Sequence, residues 1–288
     1  MKLSKGNFMN FPRIIARLDI KGPNLVKGIH LEGLRVLGSP SKFANKYFID
    51  GADELFYQDV VASLYNRNSI LEFIRDTAKT ISIPLTVGGG IREISDISDV
   101  LEAGADKVAI NTAAINNPNI INEASRTFGS STIVATIETI KSNDGHYLAY
   151  TDNGREYTGI NIFEWCKKLV DLGAGEIMIT SIDRDGTGSG CDVELIRKIR
   201  ELISVPLIAH GGIGTSGHIQ QAISNGANAV VLASIIHYGA LFNNDFLDSE
   251  SNEGNKSFIN NFKKFKSFGP NDIRKIKNDL KDIVATRL

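Results

Sequence analysis

Short apolar, β-branched runs recur along the chain, and charged amphipathic stretches separate them. The runs are RIIARLDI (13–20), ELFYQDV (54–60), PLTVGGG (84–90), DKVAIN (106–111), TIVATIE (132–138), EIMITSID (176–183), PLIAHGG (206–212) and AVVLASI (229–235). Stretches such as VELIRKIRELI (193–203) repeat their apolar positions at helical spacing. Continuous apolar strands alternating with helices predict a parallel sheet buried on both faces. Eight such units predict an α/β fold closed as one (β/α)₈ barrel, a TIM barrel filling residues 1–288 as a single domain.

The two halves also repeat each other. Pro84 and Pro206, Gly104 and Gly226, and Glu54 and Glu176 are each separated by 122 positions. A constant offset predicts two duplicated half-barrels, so a site built once is expected twice, on opposite sides of the axis.

Composition narrows the class. The 288 residues carry a formal charge of −1, so no global basic field argues for nucleic acid or an anionic membrane. No 18-residue apolar run occurs, and the start MKLSKGNFMNFPRIIARLD lacks an apolar core of signal-peptide length; the expectation is a cytoplasmic protein. Two cysteines, Cys166 and Cys191, are too few for a disulfide framework. Five histidines show no metal-site spacing, so neither a metal nor another cofactor is expected.

The chemistry is expected at the strand ends. GGGIRE (88–93) follows the third run and GGIGTS (211–216) follows the seventh, 122 or 123 positions later by either glycine pair, and glycines there let backbone N–H groups approach an anion. Asn111 and Thr112 follow the fourth run, Ala233 and Ser234 the eighth, each opening a helix whose N-terminus favours negative charge. Gly89, Gly90, Asn111 and Thr112 therefore form one candidate phosphate cradle, and Gly211, Gly212, Ala233 and Ser234 the other. A single Gly-Gly turn is what any tight strand-to-helix connection needs; its duplication is what points to a small molecule phosphorylated at both ends. A third Gly-rich stretch, DRDGTGSG (183–190) with Asp185 and Gly186, reads as a mobile loop closing over one phosphate.

RIIARLD, VKG (26–28), TVGGGI, GADKVAINTAA, SIDRDGTGSG and the GGIG turn together resemble the cyclase subunit of imidazole glycerol phosphate synthase, HisF, over roughly residues 12 to 238. The resemblance implies a heterodimer with a glutaminase subunit of the HisH type. It also implies use of that subunit's ammonia to cleave and cyclise a phosphoribulosyl formimino carboxamide ribotide in histidine biosynthesis. Within it, Asp19 and Glu138 take the acid and base positions, and Lys27 and Thr180 the substrate-loop positions. Arg13, Glu54, Lys107 and Glu176 match the charged ring gating ammonia entry at the opposite barrel end, and Asp106 matches a residue facing the glutaminase.

Several residues depart from that pattern. Glu138 stands where the family has Asp, one methylene further out, and a displacement of about 1 Å can cost on the order of 100-fold in rate. Arg17 shares the face of Asp19 by strand alternation, so an inward Asp19 implies an inward guanidinium paired with Asp19 or Glu138. His210 replaces a small serine, either to contact substrate or to fill space. A polar insertion at about 241–268 precedes a last helix expected to open with Pro270 near its first turn. These departures keep open a paralogue that delivers ammonia to a nucleotide-linked or surface sugar, and a non-catalytic ammonia conduit that activates the glutaminase.

Overall fold

The computed structural model describes residues 11–62, 70–243 and 271–285. Eight parallel strands form a closed ring: β1 (Arg13–Lys21), β4 (Glu54–Asp59), β5 (Leu85–Gly88), β6 (Lys107–Ile110), β7 (Ile133–Lys141), β10 (Glu176–Ser181), β11 (Leu207–His210) and β12 (Ala229–Leu232). β10 pairs with β7, and β1 pairs with both β12 and β4, which removes every free edge from the ring.

Strand alternation sorts the core into two bodies. Ile15, Phe56, Ala109, Val134, Met178, Ile208, Ala229 and Val231 fill the barrel interior. Their neighbours, such as Ile14, Ala16, Val108 and Val230, face outward and join the larger cluster under the helices. Among the described residues no helix is long and apolar enough to cross a membrane.

The repeat holds at atomic detail. Asp106 Oδ2 accepts from Leu85 N at 2.8 Å, and Asn228 Oδ1 accepts from Leu207 N at 2.9 Å, the same bond 122 positions on. Asn111 and Ala233, at the starts of the matching helices Thr112–Asn116 and Ser234–Phe242, share an unusual backbone, φ −120 and ψ −82 against φ −133 and ψ −84.

Two hairpins stand outside the eightfold pattern. β2 (Asn24–Ile29) folds back antiparallel on β1 and β3 (Glu32–Gly38) pairs antiparallel with β2, so Lys27 lies on a strand rather than in a loop. β7 continues three residues past Glu138 and pairs with β8 (Tyr147–Thr151), which pairs with β9 (Glu156–Asn161). The last described helix spans Ile273–Asp279 and is capped by Asp272, whose side chain accepts from Lys275 N. Residues 241–242 still belong to the helix Ser234–Phe242; the rest of the expected insertion from 244, with Pro270, lies outside the described residues.

Candidate functional site

At the N-terminal end of the barrel, Arg13 Nη1 lies 2.7 Å from Glu54 Oε2 and Nη2 lies 3.0 Å from Glu176 Oε2. Lys107 Nζ bridges the same two carboxylates at 3.1 and 3.2 Å. Thr86 Oγ1 donates to the other oxygen of the buried Glu54 at 2.5 Å. Burial opposes the Arg13 charge, but Glu176 and Glu54 hold its pKa above the usual value. The four charges sum to zero, which lets them sit beneath an apolar interior without a counter-ion. Asp106, exposed beside Lys107, spends one carboxylate oxygen on Leu85 N.

At the C-terminal end the structure brings Asp19, Arg17, Lys27, Glu138, Thr180, Asp185 and His210 together. Arg17 points inward, as alternation from Ile15 requires, with its guanidinium 5.7 Å above the centre of the Phe56 ring. Its Nε donates to Asp19 Oδ1 at 2.7 Å, and both residues are buried. Burial opposes the charge on Asp19, yet Arg17 and then Lys27 hold its carboxyl below the usual range. Glu138 is treated oppositely. Burial pushes its carboxyl up to about 7, against the pull of Arg17 and of Gly154 N, which donates to Oε2 at 2.8 Å. Two carboxyls at one mouth thus rest in different states near neutral pH.

Lys27 is 1% exposed, and its Nζ lies 2.8 Å from Asp185 Oδ2 and 3.7 Å from Asp19 Oδ2. Burial works against its charge, but Asp185 and Asp19 hold its pKa above the usual value. His30 N donates to Asp185 O at 3.0 Å and Leu31 N to Asp185 Oδ2 at 3.3 Å. Asn153 Nδ2 donates to Leu31 O at 3.0 Å. The β2–β3 turn, the β8–β9 turn and the 183–190 stretch therefore meet as a latched cover. His210 is buried, with Nδ1 3.1 Å from Thr180 Oγ1 and Nε2 3.6 Å from Asp185 Oδ1. Burial, then Arg17 and Lys27, push its pKa well below the usual value, so the Asp185 contact is polar rather than ionic.

The two cradles share a backbone but not a volume. Gly89 and Gly90 have φ +93 and +75, Gly211 and Gly212 φ +103 and +88. The first opens into a cavity of about 450 Å³ that includes Asn111, Thr112, Thr136 and Glu138 in its walls. The second, walled by Asp185, Gly186, His210, Gly211, Gly212, Ala233 and Ser234, leaves only about 10 Å³. That is room for about one water. Gly190 N donates to Gly212 O at 2.7 Å, which seats the 183–190 stretch on the second turn. Among the described residues, Ser234 Oγ and Asn111 Oδ1 are buried without a hydrogen-bond partner, one in each cradle.

Sequence reasoning missed Gln58, Asp59, Arg92, Asp152 and Asn153 in the walls of the first cavity. Asp59 ends β4 and had a readable signal, a carboxylate at the C-terminal end of a barrel strand. Asp152 and Asn153 had none, because a hairpin distant in sequence carries them over the mouth.

The histidine biosynthesis protein family model matches residues 13–241. The imidazole glycerol phosphate synthase subunit HisF of Legionella pneumophila is 52% identical over 206 residues, covering 72% of this chain and 97% of that protein. The subunit of the same name from Thermobifida fusca (strain YX) is 44% identical over 234 residues, covering 80% and 91%.

Proposed function

The chain belongs to the histidine biosynthesis protein family, and on that premise we propose that it is the ammonia-using cyclase subunit of an imidazole glycerol phosphate synthase. It converts the doubly phosphorylated phosphoribulosyl formimino carboxamide ribotide to imidazole glycerol phosphate and aminoimidazole carboxamide ribotide. The observation that carries the reading is the split pair at the mouth. Cyclisation and cleavage need a proton taken at one point and given at another. Asp19, held ionised, takes it; Glu138, protonated up to about 7, gives it.

The first Gly-Gly turn and helix start receive one phosphate through backbone N–H groups and Thr112; the second turn, with Ser234, receives the other once the 183–190 stretch seated on Gly212 O makes room. The Arg13–Glu54–Lys107–Glu176 ring is the ammonia entrance, and the face bearing Asp106 docks a HisH-type glutaminase.

Two observations favour a second reading. Arg17 occupies one oxygen of Asp19, and the second cradle is nearly filled. A paralogue that aminates or amidinates another phosphorylated or nucleotide-linked acceptor would have such a mouth. Turnover of the formimino ribotide at high ammonium, at neutral pH where Glu138 still holds its proton as well as at alkaline pH, beside Glu138→Asp, separates the two. Ammonia-dependent loss of substrate by the unmodified chain supports the cyclase; its absence, with the ribotide still bound, moves the assignment to the paralogue.

A further inference from the structure

The β8–β9 turn touches two parts of the first cavity at once. Asp152 N donates to Thr112 Oγ1 at 3.2 Å, and two residues on, Gly154 N donates to Glu138 Oε2 at 2.8 Å. Asp152, Asn153 and Gly154 have φ of +52, +59 and +79, a left-handed run that Asp, Asn and Gly accept more readily than other residues. Asn153 Nδ2 ties the run to Leu31 O at 3.0 Å. Because Thr112 Oγ1 accepts from the main chain, its own proton is left to donate into the cradle. Because Glu138 Oε2 accepts from Gly154 N, the proton of the neutral acid belongs on Oε1.

The carboxylate of Asp152 is not used in this way. Among the described residues it has neither a hydrogen bond nor an ion pair, although Asp152 stands in the wall of a cavity read as a phosphate site. The other charges around the mouth come in opposite pairs. Arg17 pairs with Asp19 on β1, and Lys27 with Asp185 behind them. Asp59, at the end of β4, accepts from Val61 N and Ala62 N, and Arg92 donates to Ala62 O on the same segment. His210 is kept neutral by its burial. One uncompensated negative charge remains, at Asp152, and it weakens the hold of the cavity on an anion. What it favours is a neutral neighbour. Burial is the main cause that takes the Glu138 carboxyl up to about 7; Asp152 and then Asp19 act in the same direction, against Arg17 and the Gly154 N–H.

We propose that Asp152 is a positioning residue of this mouth: from one turn it directs the Thr112 hydroxyl at the phosphate and sets a fixed negative charge beside Glu138, so that Glu138 meets the substrate as the proton donor. The inference rests on the proposed use of Glu138 as the acid and of the first cradle for phosphate. It also accounts for a carboxylate in an anion site, where some affinity is given up to keep a proton on Glu138.

The test compares three variants with the unmodified full chain. Asp152→Asn keeps the left-handed turn, the shape and the main-chain N–H but loses the charge. Asp152→Glu keeps the charge, and Glu156→Gln removes an equal charge from an exposed position of the same hairpin. Carboxyl ¹³C NMR, with the Glu138 signal identified by its loss in Glu138→Gln, is expected to place the Glu138 midpoint lower by about 0.5 pH or more in Asp152→Asn and to leave it nearly in place in the other two. Inorganic phosphate should bind Asp152→Asn about twofold or more tighter by calorimetry. Turnover of the ribotide by the same variant should be little changed at about pH 6 and fall about threefold at about pH 8, as the protonated share of Glu138 falls. A turn that merely holds the hairpin together would give weaker phosphate binding and an unmoved midpoint, and that result overturns the inference. So does an equal shift in Glu156→Gln, or a shifted midpoint with the pH dependence of turnover unmoved. Absence of turnover in the unmodified chain overturns the cyclase reading alone, since the NMR midpoint still decides the link between Asp152 and Glu138.

Discussion

Arg17 Nε and Asp19 Oδ1 lie 2.7 Å apart on the same face of the same strand, two residues from each other. Because both are buried, the pair fixes the ionised state of Asp19 more firmly than Lys27 does from 3.7 Å. Arg17→Met is expected to raise the Asp19 pKa, read by carboxyl ¹³C NMR titration. The sign for stability follows. A carboxyl with a lowered folded pKa contributes stability above its unfolded pKa of about 3.9 and loses it as pH falls through the folded value. Acid unfolding of the variant should therefore begin at higher pH; an unmoved Asp19 titration refutes the dominance of Arg17.

Glu138 runs the other way. With a folded pKa of about 7 it binds a proton that the unfolded chain has released, so its contribution is complete in acid and fades as pH rises towards 7. The full swing corresponds to about 3 kcal/mol. Glu138→Gln is expected to abolish that slope in urea unfolding between pH 4 and about 8, while remaining folded, since an amide replaces the neutral acid closely. A slope unchanged by the substitution places the titration elsewhere.

The eight strands and the 122-residue repeat were legible because period and punctuation are local properties: apolar runs close on Gly-Gly or on a helix-opening polar residue. The inward turn of Arg17 was legible for the same reason, since alternation fixes its side once Asp19 is placed. The hairpins were not. Asn24–Ile29 is held by pairing to β1 and Glu32–Gly38 by pairing to Asn24–Ile29, and Lys27 is buried by an Asp185 158 positions away. Nor did identical Gly-Gly spacing reveal that one cradle is open and the other filled: His210 stands where the first half has Gly88, and Gly190 N donates to Gly212 O, which brings the 183–190 stretch onto the second turn.

That latch gives a third expectation. Asp185 holds Lys27 through Oδ2, and its main chain and side chain accept from His30 N and Leu31 N. Asp185→Asn removes the charge that balances Lys27, and leaving one buried charge uncompensated costs about 3–5 kcal/mol. Part of that cost is relieved by opening the cover. Amide hydrogen exchange at His30 and Leu31 is expected to speed up, while exchange in Val108 and Val230, on barrel strands buried under the helices, keeps its rank among the slowest sites. Uniform acceleration throughout the chain contradicts a local latch.

The lower ring makes a fourth. Glu54 is 1% exposed and accepts from Arg13, Lys107 and Thr86, so Glu54→Leu strips partners from three donors at once. Arg13 and Lys107 would be left to share Glu176. A loss of about 3 kcal/mol or more is expected in chemical denaturation. Glu54→Gln, which keeps an acceptor for Thr86, should lose less; equal losses would show that charge alone sets the cost.

The first cradle offers the sharpest separation of shape from stability. Gly89 has φ +93, and a Cβ built there meets the carbonyl oxygen of Asp59 at 2.2 Å, a backbone atom that cannot step aside without moving β4. Gly145 has nearly the same φ, +87, but a Cβ there meets nothing within 4 Å. Both alanine variants incur the left-handed backbone penalty, about 1–2 kcal/mol. Only Gly89→Ala adds the clash, and it does so at the turn whose Gly89 and Gly90 line the 450 Å³ cavity. Gly145→Ala is therefore expected to lose about 1 kcal/mol of stability and keep its affinity for inorganic phosphate. Gly89→Ala is expected to lose more than about 2 kcal/mol, and its phosphate affinity should drop at least tenfold at temperatures where it remains folded. If calorimetry gave both variants the affinity of the unmodified chain, the Gly-Gly turn would be a tight connection between strand and helix and nothing more, and the phosphate would have to be held by the helix start at Asn111 and Thr112 alone.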